Sequence, residues 1–245
     1  MAAIPVAIFG ICGRMGQSLI QALAEQPASL TLTGAIASAG SARLGSDAAA
    51  GVKVTADVAA GLRGAKVAMD FSQPGALLAH ARACAAARVA LLVGVTGFDA
   101  AARAELQSLS AQVPLLLAPN TSVGVAVVNE LAALAAKTLG VAWDVQIAEA
   151  HHAGKRDAPS GTALNLGETV AGARGQTLSD IGISVLRQGD IVGEHTVSFT
   201  TAGERIEIAH RATDRMIFAR GALRAAQWLA GRPPGLYAMK DVLGL

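Results

Sequence analysis

Residues 5–20 read Pro5-Val6-Ala7-Ile8-Phe9-Gly10-Ile11-Cys12-Gly13-Arg14-Met15-Gly16-Gln17-Ser18-Leu19-Ile20. A short apolar run enters a turn with three glycines and leaves it as an amphipathic segment, and that order of strand, turn and helix decides the fold. At a helix start the first N–H groups lack intrahelical partners and the macrodipole is positive, so a glycine turn there lets a phosphate approach the main chain. The spacing of Gly10, Gly13 and Gly16 is G-x-x-G-x-x-G, not the familiar G-x-G-x-x-G, but the role needs the location more than one spelling. Arg14 adds planar donors suited to a phosphate. A tight turn without a ligand would look the same in isolation, so the rest of the chain carries the decision.

Downstream, short apolar runs alternate with longer Ala-rich helical patterns. Leu30 to Ala37, Lys66 to Asp70, Val89 to Val93 and Pro114 to Ala118 join Pro5 to Phe9 as expected buried strands. Met15 to Glu25, Gly75 to Ala87 and Ala100 to Ala111 are the helices between them. The alternation implies a Rossmann-type, doubly wound parallel sheet, with ligands held by loops at the carboxyl ends of its strands. From about Thr121 the pattern changes to a helix over Val123 to Lys137, a strand over Trp143 to Glu149, and a helix from about Gly161. Three further strand-like runs follow, Ile183 to Leu186, His195 to Thr200 and Arg205 to Ala209, before a last helix over Met216 to Leu229. We therefore expect an α/β dinucleotide-binding domain over residues 1–121 and 216–245, and a smaller α+β domain with an antiparallel or mixed sheet over residues 122–215.

Composition narrows the function. The chain has 245 residues, 52% of them hydrophobic, enough for a sizeable core. A formal net charge of +2, dispersed cations and 3% aromatic residues give no footprint for nucleic acid. Asn129, Glu130 and Lys137 interrupt the long apolar run from Val123 to Trp143, so no membrane span is expected. Two cysteines, Cys12 and Cys84, give neither a disulfide framework nor a C-x-x-C pair, and no secretory leader is read at the start. A cytoplasmic protein with a small-molecule partner is the expectation.

The second half holds the densest chemistry, in Glu149-Ala150-His151-His152-Ala153-Gly154-Lys155-Arg156-Asp157-Ala158-Pro159-Ser160-Gly161-Thr162. Either imidazole titrates near neutrality and can protonate an intermediate. Lys155 supplies a point charge, and the N–H groups of Ser160, Gly161 and Thr162 at a helix start suit a carboxylate. A substrate with one or two carboxylates fits. Adjacent histidines on a strand point to opposite faces, so one of them is free to be purely structural. Asp157 reads as a loop or cap residue. His151, His152, His195 and His210 with Glu149 or Glu194 are conceivable metal ligands, but no H-x-x-x-H or C-x-x-C spacing supports a metal, and none is expected.

With these two features on one chain, the sequence resembles the 4-hydroxy-tetrahydrodipicolinate reductase family, also called the dihydrodipicolinate reductases. The likeness covers nearly the whole chain. It extends through Asp70-Phe71-Ser72-Gln73-Pro74, Gly94-Val95-Thr96-Gly97-Phe98, Pro119-Asn120-Thr121-Ser122-Val123-Gly124-Val125 and Gly189-Asp190-Ile191-Val192-Gly193-Glu194-His195. The resemblance implies NADPH or NADH as cofactor, a substrate domain that closes over the nucleotide domain with Ser122 and Arg215 near the hinges, and a homotetramer assembled through the second domain's sheets. It implies His151 as the acid that protonates the substrate after hydride arrives, and Lys155 as the cation holding a substrate carboxylate. His152, Ser160, Gly161 and Thr162 would surround that carboxylate. Gly10, Gly13, Arg14, Met15 and Gly16 would carry the cofactor phosphates, with Phe71, Gly94, Thr96 and Asn120 near the nicotinamide half.

Two departures stand out. Where family members often carry an acidic residue after the second strand, this chain has Ala37 and Ser38, and Gln73 stands where a basic residue is common. A carboxylate there would accept from a ribose 2′-hydroxyl and repel a 2′-phosphate. Without one, Ser38, Ser41, Arg14 and Arg43 are available to a 2′-phosphate, and NADPH or dual use is expected. Other nicotinamide-dependent reductases of amino-acid precursors, such as aspartate or homoserine dehydrogenases, and non-catalytic NAD(P) sensors share the first domain's pattern. Neither requires the segment from His151 to Thr162.

Overall fold

The structure, a computed structural model, describes residues 2–245. Its elements run β1 (Ile4–Phe9), α1 (Arg14–Glu25), β2 (Leu30–Ile36), β3 (Asp47–Ala49), β4 (Val52–Thr55), α2 (Val58–Leu62), β5 (Val67–Asp70), α3 (Pro74–Ala87), β6 (Ala90–Val93), α4 (Ala100–Leu109) and β7 (Pro114–Leu117). They continue with α5 (Val123–Leu139), β8 (Asp144–His151), α6 (Gly161–Ala173), β9 (Gly182–Arg187), β10 (Gly193–Thr201), β11 (Glu204–Ala212), α7 (Met216–Leu229), β12 (Gly235–Ala238) and α8 (Met239–Leu243). The chain forms two compact units, Met1–Thr121 with Phe218–Leu245, and Ser122–Ile217.

The first unit is built on an eight-stranded sheet in the order β12-β7-β6-β5-β1-β2-β4-β3. Its pairings are parallel except for β3 against β4. This is the doubly wound sheet that the alternating pattern implied. Strand order reverses about β1, which puts the switch point, where such sheets bind ligands, at the carboxyl ends of β1 and β5. From Val6 to Phe9 and from Val67 to Met69 both strands run apolar and buried, as strands covered on both faces do, and β5 ends in the buried Asp70. Phe9, Leu77, Leu91, Leu106 and Leu115 lie in one buried cluster between sheet and helices.

The second unit has the smaller mixed sheet, ordered β11-β10-β8-β9. β8 pairs parallel with β9, while β10 is antiparallel to both β8 and β11. Period-2 alternation turns Ile147, Val197 and Phe199 inward, where they pack with Val128, Ala132, Leu166 and Val170 of α5 and α6. Each large side chain wholly buried there contributes about 1.5–3 kcal/mol. α5 and the turn after it are long and apolar enough, by length and composition, to cross a membrane. In this structure its Val125, Val128, Ala132 and Ala136 are buried, while Val127, Leu131 and Leu134 are exposed.

Candidate active site

The glycine turn is anchored by its neighbours. Gly10 and Ile11 donate their N–H groups to Ile36 O at the end of β2, and Gly13 donates to Gly10 O. Gly10 and Gly13 therefore serve by being small, since their N–H groups are already used. Gly10 has φ +75, and a Cβ there would lie 2.8 Å from Phe71 O. A Cβ on Gly16 would overlap Ile11 O, inside the backbone's own envelope. α1 starts at Arg14 with no side-chain cap on Gly13, so the first-turn N–H groups of Arg14, Met15 and Gly16 lack an intrahelical acceptor. An uncapped helix start over a cradle with no room for side chains fits a dinucleotide's pyrophosphate.

Neighbouring strand ends shape the same edge of this unit. After β2, Ser41 N–H donates to Ser38 O to close a turn, and Ser41 Oγ reaches Cys12 Sγ at 3.6 Å. Ser38, Arg14 and Arg43 are exposed. After β5, Asp70 is wholly buried and accepts from Ser72 N–H at 2.9 Å and from the His80 ring at 2.8 Å. The His80 ring in turn stacks on Phe9, with centroids 4.0 Å apart, so Asp70 and His80 fix the turn that carries Phe71. Phe71 lies against Gly94, where a Cβ would fall within its ring. Thr96 is exposed beyond β6, and Asn120 is half-buried beyond β7.

The polar cluster lies in the second unit. β8 runs two residues past its expected end and carries Glu149 and His151 on the inner face, while His152 sits half-buried just outside the strand. Glu149 accepts from the His151 ring at Nδ1, from both terminal nitrogens of Arg187, and from Ser160 N–H. Burial would push the Glu149 carboxyl up, but the hydrogen bonds from Arg187, His151 and Ser160 together hold it below the usual carboxylate range. Burial lowers His151, as do the charges of Lys155 and Arg187, against the opposing pull of Glu149. Lys155 pairs with Asp157, at 2.8 and 2.7 Å, so Asp157 is an ion partner and not a helix cap. Gly161 is exposed at the first position of α6, with Thr162 half-buried behind it.

One expectation is corrected. Ser160 has no N–H to offer a ligand, because that group goes to Glu149, and its Oγ both caps Ala163 N–H and contacts His195 Nε2 at 3.1 Å. Three participants were given no catalytic or binding role by the sequence: Arg187 lies outside every motif, while Gly193 and His195 lie in the Gly189–His195 segment of the resemblance. Arg187 lies one residue beyond the expected strand, and its register partner on β8 is His151. His195, 4% exposed, meets His151 edge-on with centroids 5.1 Å apart, and burial drives its titration down to about 4. A Cβ on Gly193 would stand 3.0 Å from His151 Nε2. Alternation was the available signal: a Glu on the inward phase between Ile147 and His151 must find a cation.

Known proteins match along the whole chain. Residues 4–121 fit the family model described as dihydrodipicolinate reductase, N-terminus, and residues 124–243 fit the one described as dihydrodipicolinate reductase, C-terminus. A 4-hydroxy-tetrahydrodipicolinate reductase of Anaeromyxobacter dehalogenans is 48% identical, over 98% of this chain and 97% of its own. One from Thiobacillus denitrificans is 45% identical over 99% of both chains. A solved dipicolinate-bound dihydrodipicolinate reductase from Paenisporosarcina sp. TG-14 shares the fold with a TM-score of 0.81, at 23% identity over 98% of both chains. With both halves matched and close to half its residues identical to curated members, the chain belongs to the dihydrodipicolinate reductase family, the NAD(P)H-dependent 4-hydroxy-tetrahydrodipicolinate reductases.

Proposed function

We propose that His151 and Lys155 carry the reductase chemistry, converting 4-hydroxy-tetrahydrodipicolinate to tetrahydrodipicolinate on the second unit while the first unit holds the nucleotide. The observation that carries this reading is the placement of His151. It ends a strand with Nδ1 occupied by Glu149 and with Lys155 close enough for its charge to act on the ring. A bound reduced nicotinamide supplies the hydride. Loss of the substrate's 4-hydroxyl as water gives the conjugated system that accepts this hydride; negative charge then develops on the reduced system, and His151 quenches it by giving up a proton from Nε2. Lys155, moving from Asp157 to the substrate, holds one carboxylate with His152 beside it, and the N-terminal turn of α6 at Gly161 and Thr162 holds it from the other side. Dipicolinate, named in the Paenisporosarcina complex, is the natural probe for this arrangement.

In the first unit, Arg14, Met15 and Gly16 offer first-turn N–H groups to the pyrophosphate, with Gly10 and Gly13 leaving it room. Phe71, Gly94, Thr96 and Asn120 form the nicotinamide end. Ser38, Ser41, Arg14 and Arg43 receive a 2′-phosphate, so NADPH is used at least as well as NADH. The outward face of the second sheet carries small and polar side chains, Gln146, Ala148, Thr196, Ser198 and Ala209, beside the ion pairs Arg205–Glu207 and Arg211–Glu194, a mixed face that suits face-to-face packing of copies into a homotetramer. The free thiols of Cys12 and Cys84 suit a reducing cytoplasm.

The test gives purified protein NADPH or NADH with freshly condensed pyruvate and aspartate semialdehyde and follows loss of reduced-nicotinamide absorbance. Consumption of NADPH with a Michaelis constant no higher than that for NADH is expected. Consumption of neither cofactor would sink the assignment, and a strong preference for NADH would overturn the roles of Ser38 and Arg43.

A further inference from the structure

Glu149 opens the polar segment without a role of its own in the reading of the sequence, yet three parts of the second unit converge on its carboxylate. Its Oε2 meets His151 Nδ1 at 2.5 Å and Arg187 Nη1 at 2.9 Å, while Oε1 meets Arg187 Nη2 at 2.7 Å and Ser160 N–H at 3.0 Å. These donors come from β8, from the end of β9 and from the residue capping α6. Arg187 also donates to Asp157 O at 2.7 Å, so the same ion pair fastens the loop that carries Lys155. Glu149 is buried, with none of its side chain exposed. A buried carboxylate that lost its cation would protonate or unfold its surroundings, so the fork of Arg187 keeps it an acceptor.

We propose that Glu149, held ionised by Arg187, is the positioning residue of the reaction: it keeps the His151 proton on Nδ1 in the neutral ring and so makes Nε2 the atom that gains and loses the catalytic proton. This rests on the reading of His151 as the acid. An ionised carboxylate only accepts, so Nδ1 carries hydrogen in both protonation states and the exchangeable site is Nε2. Nε2 in turn lies over Gly193, where any side chain would stand 3.0 Å away. The charged and titratable groups around the ring are Glu149 on β8, Arg187 on β9, His195 on β10 and Lys155 on the loop. Among them Glu149 alone favours the imidazolium. It therefore sets the pH above which the acid runs out of protons, as well as the tautomer.

The test needs no substrate at its first step. Long-range nitrogen–proton spectra of histidine-labelled wild type should show neutral His151 with its hydrogen on Nδ1. A ring with its hydrogen on Nε2 would overturn the proposal, and this result stands whether or not any variant folds. In E149Q the alkaline limb of kcat should move to lower pH. kcat at pH 8 should fall by at least about tenfold, because an orienting carboxylate fixes the productive tautomer. The Michaelis constant should change far less, and E149D should recover part of the loss. An unshifted limb, or an equal loss in E149Q and E149D, would overturn the proposal. Wild type that consumes no NAD(P)H while His151 keeps its hydrogen on Nδ1 would remove the reductase reading and leave the tautomer lock standing.

Discussion

His151 and Lys155 illustrate how much a residue's neighbours decide. Both are single side chains of ordinary type, and each is tied up by a carboxylate: His151 by Glu149 for good, Lys155 by Asp157 in a pair with exposed oxygens. The difference matters, because an ion pair at the surface is weak enough to be exchanged for a substrate carboxylate, whereas a buried one is structural. His151→Gln keeps the size of the ring and its ability to hydrogen-bond, but has no titratable proton. We expect kcat to fall by about 10²- to 10⁴-fold, the usual contribution of a general acid. The dissociation constant for NADPH, followed by fluorescence titration, should stay within about twofold, since the glycine turn proposed to hold the nucleotide lies in the other unit. A parallel loss of NADPH binding would show that His151 acts through structure and not as the acid.

At the scale of elements, the second sheet gathers groups whose folded-state titration is depressed in the same sense. His195, His151 and His210 are lowered first of all by burial, while Glu149 is lowered by its hydrogen bonds against burial. A depressed folded pKa means that the unfolded chain binds more protons in the interval, so stability is present at high pH and lost as pH falls. For His195 the interval runs from the ordinary 6.5 down to about 4, a shift of about 3 kcal/mol. Urea midpoints read at Trp143 in a Trp228→Phe background should therefore drop steeply from pH 6.5 to 4, and His195→Asn should flatten that slope. An unchanged slope would remove His195 from the account. The strands of this sheet were legible because their alternation is strong, and the helix start at Ser160-Gly161 because its capping residue is. The convergence on Glu149 was legible only in part: His195 closes the Gly189–His195 segment, but its burial against His151 and the register pairing that brings in Arg187 are tertiary, and no local pattern encodes them. In the first unit β3, β4, α2, β12 and α8 were missed for a related reason. They are three to five residues long and owe their form to pairing at the sheet's margins or to packing on it, as with Asp47-Ala48-Ala49 against Val52 to Thr55.

For the whole molecule, the chain's path sets the division of labour. It leaves the first unit after Thr121, builds the second without interruption, and re-enters at Phe218 part-way along α7. Thr121 Oγ1 donates to Phe218 O at 2.7 Å, so the outgoing and returning strands of chain are tied together at the first unit's boundary. Each unit has its own buried core and one tryptophan, Trp228 packed against Tyr237 and Arg232 in the first and Trp143 in the second. A ligand that binds a folded unit stabilises it by mass action, by about 2.7 kcal/mol at a hundredfold excess over its dissociation constant. If the cradle at Gly10 to Gly16 holds the nucleotide, NADP⁺ should raise the urea midpoint read by Trp228 in a Trp143→Phe protein by that order. It should move the Trp143 transition of the Trp228→Phe protein much less. If Lys155 and the start of α6 hold the dicarboxylate, dipicolinate should do the reverse. The crossed pattern is what separates two binding units from one cooperative body that a ligand anywhere would stabilise. Equal shifts at the two tryptophans, or a larger NADP⁺ shift at Trp143, would overturn the assignment of nucleotide to the first unit and substrate to the second.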